Sequence, residues 1–260
     1  MIAQGPEVIA TDRRSNDLLA CLSEPDFALL APHLQSCHST SNEVLYEAGD
    51  SVGSIYFPCG ACLVSHVLDI KDGRKVEPVL VGREGAVGLI PGPHKSPAYS
   101  GILAKVGGPF FKLSAIEFEK AKNKSQSLRD YFDRYTEYLL AQLMQIAACN
   151  AVHTIEQRMA KWIIAIIEHT HTNEVPFTQD QFAALLGVGR SYTARVIQTF
   201  KMEGILGARR GAILVLDRQA LQATSCRCDE QLKALHHKML GDVDPKPHRR
   251  RTRDQRDHES

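Results

Sequence analysis

The sequence predicts an α+β fold in three successive parts: an N-terminal antiparallel β-roll, one long helix, and a C-terminal helical hairpin followed by a small sheet. Three observations carry this. Residues 44–113 break into short β-rich runs between turn signals, residues 128–150 keep an apolar four-three spacing, and residues 177–216 hold two short amphipathic helices, a glycine turn and a hairpin. At 260 residues, 43% hydrophobic and 23% charged, the chain has the make-up of an ordinary globular protein of one large or two modest domains.

Residues 1–16 are expected to be a flexible arm and residues 17–34 a short helical preface to a roll spanning 17–124. The β-rich runs are VLY (44–46), SIYF (54–57), ACLVSHVL (61–68), KVEPVLV (75–81), AVGLI (86–90), SGILAKV (100–106) and FFKL (110–113). Glycine-, proline- and aspartate-bearing turns separate them, as in a small antiparallel barrel or roll.

The second part, residues 125–152, is a single helix. Leu128, Phe132, Tyr135, Leu139, Gln142, Ile146 and Cys149 alternate at spacings of four and three, a heptad seam of about three heptads. A helix lying on its own domain usually shows a wider apolar stripe. The spacing therefore predicts a dimerisation helix whose interface includes Phe132, Tyr135, Leu139, Gln142 and Ile146. A further helix, from about 154 to 169, has a packed face that includes Trp162, read as core.

The third part, residues 153–240, reads as a winged helix-turn-helix. Thr178 is a good N-cap, and Phe182, Leu185 and Leu186 make one apolar face. Gly187 stands where a left-handed residue stops that helix, and Val188 follows as a plug. The next helix turns Thr193, Val196, Ile197 and Phe200 inward. Its outward side carries Arg190, Ser191, Ala194, Arg195 and Gln198, with two guanidinium groups and no acid. Such a face suits a DNA major groove, where Arg pairs bidentately with guanine O6 and N7. Strands at 205–206 and 212–216 around Arg209 and Arg210 then form a wing whose tip meets phosphate oxygens. Between Pro176 and Arg218 six Lys/Arg face three acids, while the whole chain carries a formal charge of only +1. Basic charge is concentrated where the DNA contact is expected.

The remaining features exclude more than they assign. There is no run of about 18 apolar residues, so no membrane span is expected, and the N-terminus lacks the basic-then-apolar pattern of a secretory signal. Seven cysteines, at 21, 37, 59, 62, 149, 226 and 228, suit reduced thiols in the cytoplasm better than a disulfide framework. No nucleophile elbow, P-loop, zincin motif or paired carboxylates are present, so no catalytic residues are expected. The tail, 241–260, is proline- and charge-rich and expected to be disordered.

This order of roll, long helix and winged helix-turn-helix resembles the CRP/FNR family of bacterial transcription regulators over about residues 17–235. The residues that carry the resemblance are TQDQFAALLGVGRSYTARVIQTFKMEGIL (178–206), LYEAGD (45–50), IYFPCGACLV (55–64) and GREGAVGL (82–89). It implies a cyclic-nucleotide-binding-like roll and a homodimer joined through the long helix, reading a two-fold-related operator in double-stranded DNA. It also carries Arg190, Ser191 and Arg195 over as recognition-helix residues. Family members often have an acid where Ser191 stands, so the family's usual half-site does not transfer.

The resemblance also marks the possible effector pocket. Nucleotide-binding members carry a Glu where Gly88 stands here and an Arg-Ser pair where this chain has Tyr99-Ser100, while the base would meet Leu143 and Met144. A cyclic phosphate needs a cation or a cluster of donors. Only Lys95 lies near, without a carboxylate beside it, so gating by cyclic AMP is not expected. Two alternatives are a cyclic-nucleotide-responsive regulator and a thiol-based metal or redox sensor acting through DNA. For the latter, Cys59-x-x-Cys62 has chelating spacing but no obvious second pair nearby in sequence, and Cys226-x-Cys228 is the other close pair, with His236 and His237 downstream. No metal and no cofactor are therefore expected. The partners expected are DNA, a second copy, an unidentified small-molecule effector and, as a candidate, RNA polymerase.

Overall fold

The computed structural model describes residues 12–70, 73–89, 97–209 and 211–241. Lys95, Ile90, Arg210 and the expected tail beyond Gly241 lie outside them. The helical preface is α1 (Asp17–Ala20) and α2 (Glu24–Leu30). Residues 1–11 of the expected arm also lie outside the described residues; Asp12 opens a 3-10 turn over Arg13–Ser15 and Asn16 caps α1. Asn16 is fully buried, and its amide donates to the carbonyls of Pro58 and Gly85, pinning the chain to the roll.

Seven strands follow: β1 (Gln35–Ser39), β2 (Glu43–Tyr46), β3 (Ser54–Pro58), β4 (Leu63–Asp69), β5 (Lys75–Val81), β6 (Gly101–Val106) and β7 (Gly108–Ser114). They form two antiparallel sheets, β1-β7-β3 and β2-β6-β4-β5. Inside the roll, Val64, Val79, Val81, Ile102 and Ala104 pack with Tyr46 and Tyr56. Two expectations fail here. β1 is a polar edge strand, QSCHS, without the alternation that marks a half-buried strand. The run expected at 86–90 is no strand over its described residues; Val87 makes one bridge to Tyr56, and Gly88 breaks the ladder at φ +87°.

Helix α3 (Ala115–Lys124) leads into α4 (Gln126–Val152), a 27-residue helix capped by Ser125. Tyr135 fixes it to the roll. Its hydroxyl accepts from the Ala86 amide at 2.8 Å and donates to the Ala86 carbonyl at 3.0 Å. Only glycine fits at 85, since a Cβ there would stand 2.5 Å from that hydroxyl.

The C-terminal part comprises α5 (Ile155–Thr170), β8 (Glu174–Val175), α6 (Gln179–Leu186), α7 (Arg190–Met202), β9 (Leu206–Arg209), β10 (Ala212–Val215), α8 (Arg218–Thr224) and α9 (Cys228–Leu240). One core unites Ile163, Ile166, Phe182, Val196, Phe200 and Leu221 with Leu63 and Leu80 of the roll. The DNA-binding part is thus packed directly on the sensor-like part. Helix α9 returns across α4, where the His236 ring meets Tyr138 edge-on and Arg134 donates to the Met239 carbonyl.

The seam expected to face a partner is turned inward. Phe132 and Tyr135 are buried with the N-terminal helices, Ile146 is buried in the roll, and Leu139 is half covered by the first of these cores. Gln142 lines a cleft within the chain. The four-three spacing records contacts of α4 with the neighbouring α3 and with α1, α9 and the roll, which are distant in sequence. The opposite face of α4 is the exposed apolar one: Leu140 is 55% exposed, Leu143 49% and Met144 63%, followed by exposed Ala147, Ala148, Ala151 and Val152.

Candidate nucleic-acid interface

The helix-turn-helix is built from strong local signals. Thr178 accepts from the Gln181 amide at 3.2 Å while the Gln181 side chain accepts from the Thr178 amide at 2.8 Å, a complete capping box. Gly187 ends α6 in the left-handed conformation, φ +67°. The buried Arg158 guanidinium donates to the Leu186 carbonyl at 2.7 Å and satisfies an orphan acceptor of that helix end. Thr193, Val196, Ile197 and Phe200 anchor α7 from beneath.

The outward face of α7 is as the sequence suggests. Arg190, Ser191, Arg195 and Gln198 are exposed, and Ala194 is half-buried. Arg190 lies 3.3 Å from Asp180 on α6, which restrains its guanidinium. Sequence reading passed over Tyr192. It is 38% exposed on the same helix, and the Arg195 guanidinium sits 5.1 Å from its ring centroid, a stacking that limits the rotamers of Arg195. An aromatic on a helix of mixed polarity reads as core, which hid it.

The wing is a three-stranded sheet, β8-β10-β9, one strand larger than expected. Arg209 stands at its rim in an ion pair with Glu174 of β8. The candidate interface therefore combines a helix face bearing two cations with a sheet rim where Arg209 is paired with Glu174.

The effector positions fare differently. Gly88 is a close approach rather than a ligand position: a Cβ there would lie 2.4 Å from the Ser54 carbonyl oxygen. Tyr99 is 89% exposed. Ser100 bonds at 2.8 Å to His66 Nδ1, whose burial pulls its pKa down to about 4. Leu143 and Met144 are exposed, at 49% and 63%. A different cleft, of about 270 Å³, opens between the roll, α4, α5 and α9. Tyr138, Gln142, Ile146 and Trp162 line it, and Glu84 Oε2 is buried at its edge with, among the described residues, no hydrogen-bond partner, 3.6 Å from His169.

The thiols separate into two kinds. Cys59 and Cys62 are buried in different cores, and burial pushes their pKa values up to about 12 and about 11, as for small packed hydrophobes. Cys226 and Cys228 instead meet Cys149 and His153 at the end of α4.

Residues 157–224 match the Crp-like helix-turn-helix domain. Among curated proteins none matches the sequence. Among solved structures, a CRP/FNR-family transcriptional regulator from Eubacterium rectale is similar at 16% identity and TM-score 0.63, over 80% of this chain and 96% of that one. FixK2 from Bradyrhizobium japonicum is similar at 16% identity and TM-score 0.62, over 74% and 98%. The c-di-GMP-responsive global regulator CLP from Xanthomonas campestris follows at 15% and 0.57, over 75% and 100%. Residues 157–224 thus form a Crp-like helix-turn-helix domain, which carries the exposed basic helix, and the chain as a whole shares the fold of these CRP/FNR-type regulators.

Proposed function

We propose that the chain regulates transcription in the cytoplasm as a homodimer on a two-fold-related operator, gated by a signal other than cyclic AMP. The observation that carries this reading is the outward face of α7: Arg190, Ser191, Arg195 and Gln198 are exposed on a helix whose other face is locked into the core. One such helix reads only half a site, and half-sites on one face of the duplex lie about 34 Å apart. The exposed apolar stripe of α4, Leu140, Leu143, Met144 and Ala147, supports pairing through that helix. In this reading Arg190, Ser191, Arg195 and Gln198 face bases, while Arg209 and Arg210 face phosphates.

The crowding at Gly88 and the exposure of Tyr99 speak against a nucleotide in the roll's usual place. The cleft beside Glu84 and Trp162 is the better-supported effector site, since an orphan buried carboxylate oxygen invites a donor. A genome-wide footprint of the tagged protein tests the proposal. It should return inverted repeats with half-site centres one helical turn apart. Unpaired half-sites, or no sequence preference, would overturn it.

A further inference from the structure

Helix α4 ends in a side-chain cluster that DNA reading does not use. Cys149 lies in its last turn and His153 is its C-cap; Cys226 and Cys228 flank Arg227 where α8 gives way to α9. Cys149 and Cys226 are 77 residues apart in sequence, yet their sulfurs are 3.6 Å apart. Cys228 Sγ lies 3.6 Å from His153 Nδ1, across 75 residues of chain. All four donor atoms fall within 4.8 Å of one another.

These distances carry chemical information. Zinc bonds of about 2.3 Å to sulfur and about 2.0–2.1 Å to nitrogen, in a tetrahedron, leave neighbouring donors roughly 3.6–3.8 Å apart. A disulfide would need about 2.05 Å. The three buried cysteines also form a core cluster with no aliphatic member, so packing alone does not explain why sulfur recurs at all three positions. Charge points the same way. The buried Lys161 ammonium has Cys149 Sγ as its hydrogen-bond partner at 3.6 Å and, among the described residues, no carboxylate within ion-pair distance. Three thiolates, a neutral imidazole and a divalent cation sum to one negative charge, which this lysine offsets as an outer-shell partner.

We propose that Cys149, His153, Cys226 and Cys228 form a Cys₃His site for a zinc-class divalent cation. Soft thiolates in a tetrahedral set favour zinc over the hard oxygen-seeking ions. With four protein ligands the site is closed and structural rather than catalytic. Bound metal ties the far end of the winged helix-turn-helix to the end of α4, closing residues 154–225 into a loop fastened at both ends.

The test uses the full-length chain, reduced, stripped with a strong chelator and titrated with cobalt(II). About one cobalt per chain should bind, with the intense visible bands of tetrahedral thiolate ligation, and protein as purified should carry about one zinc. His153→Ala and Cys226→Ser should each weaken cobalt affinity by at least about 10-fold, whereas His153→Cys, which keeps four ligands, should retain the tetrahedral spectrum. Cys59→Ser should change nothing. Should Cys226→Ser fail to fold, the His153→Ala and His153→Cys pair decides. A wild-type chain that gives only the weak spectrum of octahedral cobalt, or a tetrahedral spectrum that survives His153→Ala at undiminished affinity, would overturn the site.

Discussion

Replacing Met144 with aspartate should split the proposed dimer while leaving the fold of each chain intact. Leu140, Leu143 and Met144 are 55%, 49% and 63% exposed, so pairing could still cover a little more than half of each side chain. Complete burial of such a side chain is worth about 1.5–3 kcal/mol, giving roughly 5–10 kcal/mol for the three residues of both chains. Association costs about 4–15 kcal/mol in lost freedom, so this stripe is decisive but holds little in reserve. Losing both methionine contributions removes roughly 2–4 kcal/mol, a weakening of about 30- to 900-fold, before the cost of two facing carboxylates. Sedimentation velocity across a concentration series reads the dissociation constant, and operator binding should fall with it. Leu139→Asp is the contrasting variant: Leu139 packs against the chain's own core, so that change should lower the melting temperature instead. A Met144→Asp protein that sediments as the wild-type dimer would refute pairing through this face.

Arg190→Ala should cost about 1–3 kcal/mol of operator affinity and relax preference at one base pair per half-site, whereas Arg209→Ala should weaken all sequences alike and flatten the salt slope by about one per contact; competition binding over a salt series separates the two. Cyclic AMP and cyclic GMP at millimolar concentration should give no saturable heat in calorimetry, because a side chain at Gly88 has no room; a micromolar dissociation constant would restore the nucleotide reading. Lys105→Met should cost about 3–5 kcal/mol in thermal or denaturant unfolding, since it strands Glu77, its buried partner at 2.9 Å, and adding Glu77→Leu should recover most of that loss.

The helix-turn-helix was legible because its determinants are local. A cap, a 3.6-residue period and a stop glycine all lie within some thirty residues, and Thr178, Gly187 and Phe200 take the places their types suggest. The length of α4 was legible for the same reason, but its orientation was not. Which face of a helix is covered depends on what arrives from elsewhere, and here α1 and α9 arrive from opposite ends of the chain. β1 escaped notice because a polar edge strand takes its order from β7 rather than from its own side chains. The Cys₃His cluster was hidden by separation: Cys226-x-Cys228 is visible as a pair, but Cys149 read as one more apolar seam position and nothing near His153 in sequence marks it.

The C-terminal part meets the rest of its own chain at several places, three of which are well separated. One is the continuous backbone where α4 passes into α5. A second is the front contact, where Phe177 lies over Lys105 of β6 and Gln181 bonds to Asn42 at 2.8 Å. The third is α9 laid along α4, with His236 Nε2 donating to the Glu84 carbonyl, 3.0 Å away. Three attachments that do not share a line immobilise a rigid body, as three legs steady a table. In this conformation α7 therefore cannot swing relative to the roll. In the proposed dimer, a signal that alters the spacing of the two recognition helices would first have to detach one leg, and the leg that gives way would fix the axis of the swing. Release of the front contact would pivot the wing away from Asn42, whereas release of α9 would tip the whole domain about the end of α4.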